Sequence, residues 1–135
     1  MTTSSIDIKN LTKQKPHQLP FEKIKNEVLG KKYELSLTFI GEKRSKKFNK
    51  QYRGKDKPAS ILSFPLEKKM GEIFITLTEI PKKTKELQMN KRDTLAYIFI
   101  HGLLHLKGFE HGEKMEKEEY KFRHFFNNSK AKNIH

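Results

Sequence analysis

"NKRDTLAYIFIHGLLHLKGFEH", residues 90–111, decides how the chain folds. Asn90 suits an N-cap, because its side-chain oxygen can accept a bond from a backbone N–H in the first turn. Asp93 stands three residues on, in a variant of the capping box. From residue 95 to 106 the sequence is apolar on nearly all sides of a helix, which predicts an element covered all round and central to the fold. Gly108 is the natural C′ residue, where a positive φ costs little. The three histidines break this apolar pattern. His101 and His105 are four residues apart and so project from one helix face. His111 lies past the predicted helix stop, and a short turn can return it to the same point.

Imidazoles on an apolar helix cost free energy unless something satisfies them. Backbone hydrogen bonds could serve two core histidines, with His111 an accidental neighbour. Three histidines at this spacing, with a stop between the second and third, favour a single metal ion instead. Three imidazole nitrogens at about 2.0–2.1 Å from Zn²⁺ leave a fourth position open for water or substrate. That is the coordination of a catalytic site, and with no cysteine in the chain there is no thiolate to close it. The helical pair has the geometry of the zincin metalloproteases, but Gly102 stands where those enzymes carry their general-base glutamate. Glu110 is the nearest carboxylate in sequence; it is the candidate for orienting a ligand histidine from behind, the alternative being a solvated side chain.

Working outward, "YELSLTFI" at 33–40 alternates, with Tyr33, Leu35, Leu37 and Phe39 on one side and Glu34, Ser36 and Thr38 on the other. This predicts a half-buried strand. Ile6 and Ile8 alternate in a short first strand. Phe21, Ile24, Val28 and Leu29 fall at helical spacing before Gly30. A basic helix is predicted from residue 42 to about 52, with Phe48 and Tyr52 on its inner face. "SILSFP" and "GEIFITLT" are further strands, made antiparallel neighbours by a turn at 68–71. A short helix follows over 81–88. The last helix is expected from 113 to about 126, burying Met115, Phe122 and Phe126, and residues 127–135 are expected to fray. Helices and strands mix without strict alternation. The expected fold is therefore α+β, a small mixed sheet packed with helices around a central metal-binding helix, in one domain over residues 1–135.

The formal net charge is +13, which attracts polyanions, nucleic acid first among them. No apolar run approaches the roughly 20 residues of a membrane span. The first ten residues lack the pattern of a secretory signal, so a cytoplasmic protein without membrane attachment is expected.

Beyond the histidines, "NKQYRGKDKPASILSFP" at 49–65 and "GEIFI" at 71–75 complete a recognisable set. The histidine segment resembles the H-G-x-L-H-L-x-G-[YF]-[DE]-H pattern of the YbeY family of bacterial rRNA-maturation endoribonucleases. The other two stretches resemble the family's upstream Asn…Tyr-Arg…Leu-Ser-Phe-Pro block and the start of its next strand. Where the family carries Thr-Asp before Val-Leu-Ser-Phe, this chain has Ala59, Ser60 and Ile61. The resemblance implies one Zn²⁺ per chain held by His101, His105 and His111, and cleavage of single-stranded RNA. It also implies maturation of the 3′ end of small-subunit rRNA and quality control of ribosomes, which makes the small subunit, and a ribosomal protein on it, candidate partners.

Arg53 matches the arginine of the upstream block. Its planar fork can bind two phosphate oxygens, so it is the candidate catalytic arginine. Lys46, Lys50 and Lys55 are candidates for an RNA-contacting rim, together with Lys43, Lys47 and Lys57. Ser63 is expected to pack rather than touch the substrate, and Phe64 and Pro65 to shape the strand end rather than stack on bases. Two other classes remain open at this point. One is an rRNA- or ribosome-binding assembly factor with a mainly structural metal. The other, disfavoured by Gly102, is a metallopeptidase.

Overall fold

The computed structural model describes residues 5–126. The segment 127–135, expected to fray, lies outside the described residues.

Alternation builds the sheet. Strand β1 (Ile6–Asn10) pairs in parallel with β2 (Glu34–Ile40), and β2 pairs in parallel with β4 (Met70–Thr76). Strand β3 (Ile61–Glu67) runs antiparallel to β4 and forms one edge, in the order β1-β2-β4-β3. The expected α+β architecture with a mixed sheet is therefore present. Leu35, Leu37 and Phe39 face the main core with Ile73 and Ile75. The expectation of a half-buried β2 needs correction, since Thr38 and Ile40 on its other face are also buried. Helix α2 (Glu42–Arg53) covers that face, where Phe48 meets Phe74 at 5.1 Å between ring centroids.

On the main-core face lie α1 (Phe21–Leu29), α3 (Ile80–Leu87) and α4 (Lys91–Lys107). Phe21 joins sheet to helix through edge contacts with Phe39 at 5.9 Å and Phe99 at 5.1 Å. α4 begins as its sequence predicts, with the Asn90 side chain accepting from the Asp93 N–H at 2.7 Å. It ends at Gly108, whose φ of 109° is the left-handed conformation a C′ glycine supplies. Lys25 is fully buried on the apolar face of α1. Its ammonium donates to the carbonyls of Gly30 and Tyr33 at 3.1 and 2.7 Å and to the Ser5 hydroxyl, tying the end of α1 to the sheet. Burial holds its pKa below the usual lysine value, opposed by the charge of Glu22.

Two further expectations are corrected. Helix α5 (Glu113–Lys121) stops short of residue 126, and the chain tightens into a 3₁₀ turn at Arg123–Phe125. Phe125 and Phe126 are both buried, which consecutive residues of an α-helix achieve poorly because their side chains diverge by about 100°. The tightened turn brings both inward, and Phe122 is left half-buried. Tyr52 touches Phe48 but does not lie on an inner face, for 59% of it is exposed.

Candidate metal centre

α4 presents His101 and His105 one turn apart, and the reversal at Gly108 returns His111 to them. Two bonds fix that reversal: the Gly108 N–H donates to the His105 carbonyl at 3.1 Å, and the Phe109 N–H to the Leu104 carbonyl at 3.0 Å. The three rings form a near-equilateral triangle with centroids 4.7, 4.7 and 4.9 Å apart. One nitrogen of each lies within 4.8 Å of the others.

The outer nitrogens set the chemistry of the inner ones. His105 Nδ1 sits 3.0 Å from the Phe109 carbonyl, which can only accept, so Nδ1 carries the proton. His101 Nδ1 sits 2.9 Å from Glu119 Oε2 and donates in the same way. In the neutral rings both Nε2 atoms then face each other as acceptors across 3.2 Å. Two acceptors at that distance repel unless a cation or a shared proton lies between them. Two ligands at about 2.0–2.1 Å in a tetrahedral shell stand about 3.3–3.4 Å apart, so the pair already fits a zinc-sized ion. Burial lowers the pKa of His105, and the charges of His101, His111 and Arg53 push it further down against the Phe109 bond. The neutral, ligating form is thereby favoured.

Proximity in sequence points to Glu110 as the orienting carboxylate. The structure corrects this: Glu110 is exposed and lines the cavity, and the carboxylate against a ligand ring is Glu119. Glu119 is buried, and it also accepts a hydrogen bond from Tyr97, whose hydroxyl pKa is raised by burial and by that carboxylate. Tyr97 in turn stacks beside His101. The sequence does carry a signal for Glu119. It falls on the face of α5 defined by Met115, and a carboxylate on a buried helical face requires a partner.

The histidines open into a cavity of about 820 Å³ between α4, α3, β3 and the loop at 54–60. Arg53 is exposed and lines it, close enough for its charge to be felt at His105. α2 clamps the loop that forms this wall. Asn49 donates to the Lys57 carbonyl at 2.7 Å, and Ser45 Oγ both donates to the Ala59 carbonyl and accepts from its N–H, at 3.0 and 2.9 Å. Of the lysines singled out, Lys55 lines the cavity, as does Lys57. Lys46 instead pairs with Asp56 at 3.9 Å, and Lys50 is exposed on α2 away from the cavity wall. Ser63 donates to the Gly102 carbonyl at 3.2 Å, the packing role expected of it.

Gly102 lies where α4 and β3 come closest. A Cβ there would sit 2.4 Å from Ile61 Cδ1 and 3.0 Å from Ser63 Oγ. The position that would carry a peptidase's glutamate faces the strand, and a side chain there would have to displace the tip of Ile61.

The family model described as Endoribonuclease YbeY matches residues 2–125. A protein of that name from Aliarcobacter butzleri is 35% identical over 124 residues, covering 84% of this chain and 87% of the relative. Its namesake from Persephonella marina is 38% identical over 93 residues, or 63% of this chain, and there the match spans only 60% of the relative's length. The solution structure of a Thermotoga maritima protein superposes with a TM-score of 0.58 at 25% identity, covering 87% of this chain and 85% of that one. A family match across nearly the whole chain, and relatives sharing more than a third of the aligned residues, lead to one conclusion: the chain belongs to the YbeY endoribonuclease family.

Proposed function

We propose that the chain is a metal-dependent endoribonuclease acting on single-stranded RNA, with one Zn²⁺ held by His101, His105 and His111. The observation that carries this reading is the convergence of one nitrogen from each of three histidines within 4.8 Å, with the Nε2 atoms of His101 and His105 3.2 Å apart, opening into a cavity that Arg53 lines. A bound metal with a free position supplies polarisation of a phosphoryl oxygen, or a water whose pKa falls towards about 7. The chain's own residues do the rest. Arg53 receives the phosphate on a guanidinium that stays charged at any working pH. Glu119 and the Phe109 carbonyl keep two imidazoles in the tautomer that offers Nε2 inward. Lys55 and Lys57 raise the local concentration of a polyanion along the wall. The biological role proposed is maturation of the 3′ end of small-subunit rRNA and ribosome quality control, in the cytoplasm where that RNA is processed. Among the described residues no helix is long and apolar enough to cross a membrane.

A peptidase is disfavoured because the glycine at position 102 supplies no general base. The test compares the native chain with Arg53→Glu and His105→Ala on an unstructured RNA, with metal content measured in each. Arg53→Glu should lose cleavage and keep its metal, whereas His105→Ala should lose both. Cleavage that persists in His105→Ala would assign the activity to a contaminant and leave the assembly-factor reading in its place.

A further inference from the structure

The α2 face of the sheet ends in an aromatic surface outside the metal cavity. Tyr52 of α2 packs against Phe64 of β3 at 5.0 Å, Phe64 against Phe74 at 6.0 Å, and Phe74 against Phe48 at 5.1 Å. None of the four rings is buried. Tyr52 is 59% exposed, and Leu66, two residues along β3 from Phe64, is 53% exposed. Packing alone does not account for this. The buried part of this face is filled by Ile40, Leu62 and Thr38, while the Tyr52–Phe64 pair lies at its margin.

Three features say what would cover the pair. First, it adjoins the cavity through neighbours in sequence, since Tyr52 precedes Arg53 and Phe64 follows Ser63, and both of those residues line the cavity. Second, β3 is an edge strand with the cavity on one face and the aromatic pair on the other, so a flexible polymer crossing that edge meets both. Third, the helix that carries Tyr52 is strongly basic, with Lys43, Arg44, Lys46, Lys47, Lys50 and Arg53 against Glu42 alone. An exposed aromatic beside dense positive charge is the combination that holds unpaired bases while the backbone follows the cations.

We propose that Tyr52, backed by Phe64, is a stacking platform for an unpaired base of the RNA strand whose phosphate lies at Arg53. This rests on the RNA reading above and adds to it a base-contacting site outside the metal cavity.

The chain contains no tryptophan, so Tyr52→Trp introduces a single fluorescent reporter at the platform. The metal-loaded variant is mixed in stopped flow with a decauridine RNA and, separately, with inorganic polyphosphate, which carries charge without bases. Emission should drop with RNA before cleavage proceeds and stay unchanged with polyphosphate. In parallel, Tyr52→Ala should weaken binding of the labelled RNA about 5- to 100-fold, the range expected for one stacked base, with Tyr52→Phe within about twofold of the native chain. RNA that binds without changing the tryptophan emission, and binds Tyr52→Ala as tightly as the native chain, overturns the platform and leaves the RNA reading standing. That result would also be expected if the patch served a protein partner. A native chain that fails to bind RNA at low salt removes both.

Discussion

At the scale of single residues, the site is a set of hydrogen bonds that choose tautomers. His101 and His105 are legible because helical spacing is local and Gly108 marks where the helix must stop. Glu119 is much harder to read, since it reaches His101 across eighteen residues and a helix–helix contact that no spacing rule supplies. Its carboxylate fixes the orientation of the His101 ring, and under the proposed function it makes that ring a better metal ligand. Glu119→Gln keeps an acceptor but removes the charge. It should weaken zinc binding about 10- to 100-fold in competition with a chromophoric chelator. Glu110→Gln, at an exposed position, should change zinc affinity by less than about twofold. An equal effect of the two substitutions would deny Glu119 its orienting role.

At the scale of elements, local rules place helix ends where a cap or a glycine marks them, as at Asn90, Gly30 and Gly108. The Asn90 cap appears as its sequence pattern says, because both partners lie within one turn. α5 ends early because Phe125 and Phe126 both have core to reach, a demand made by the rest of the molecule. Packing of the same kind sets Gly102 against the Ile61 and Ser63 side chains of β3. Gly102→Glu forces a side chain against Ile61 and should destabilise the fold by about 3 kcal/mol, seen as a lowered midpoint in urea, without creating peptidase activity. Lys25→Ala removes the donor that joins the end of α1 to β2 and leaves the Tyr33 carbonyl without it. A loss of about 2–3 kcal/mol is expected by the same measurement, and a loss below about 0.5 kcal/mol would mean that the buried ammonium contributes little net stability.

At the scale of the whole molecule, the net charge of +13 becomes a statement about where polyanions bind only once the fold distributes it. Arg53, Lys55 and Lys57 line the cavity, whereas Lys46 is paired with Asp56. If three cations each neutralise a phosphate of single-stranded RNA, log K should fall with log salt with a slope of roughly −2, measured by anisotropy between about 50 and 200 mM salt. Arg53→Glu should flatten that slope, and a flat dependence in the native chain would remove phosphate from this wall. The sequence by itself determined the strand alternation, the central helix with its cap and stop, and the spacing that gathers the three histidines, because each of these depends on neighbours within a few residues. Only the tertiary structure decided that α2 buries the second face of the sheet, that Glu119 rather than Glu110 meets His101, that Gly102 faces β3, and which cations line the cavity. Those outcomes depend on which surfaces pack against each other, and packing joins residues whose separation along the chain carries no signal of their contact.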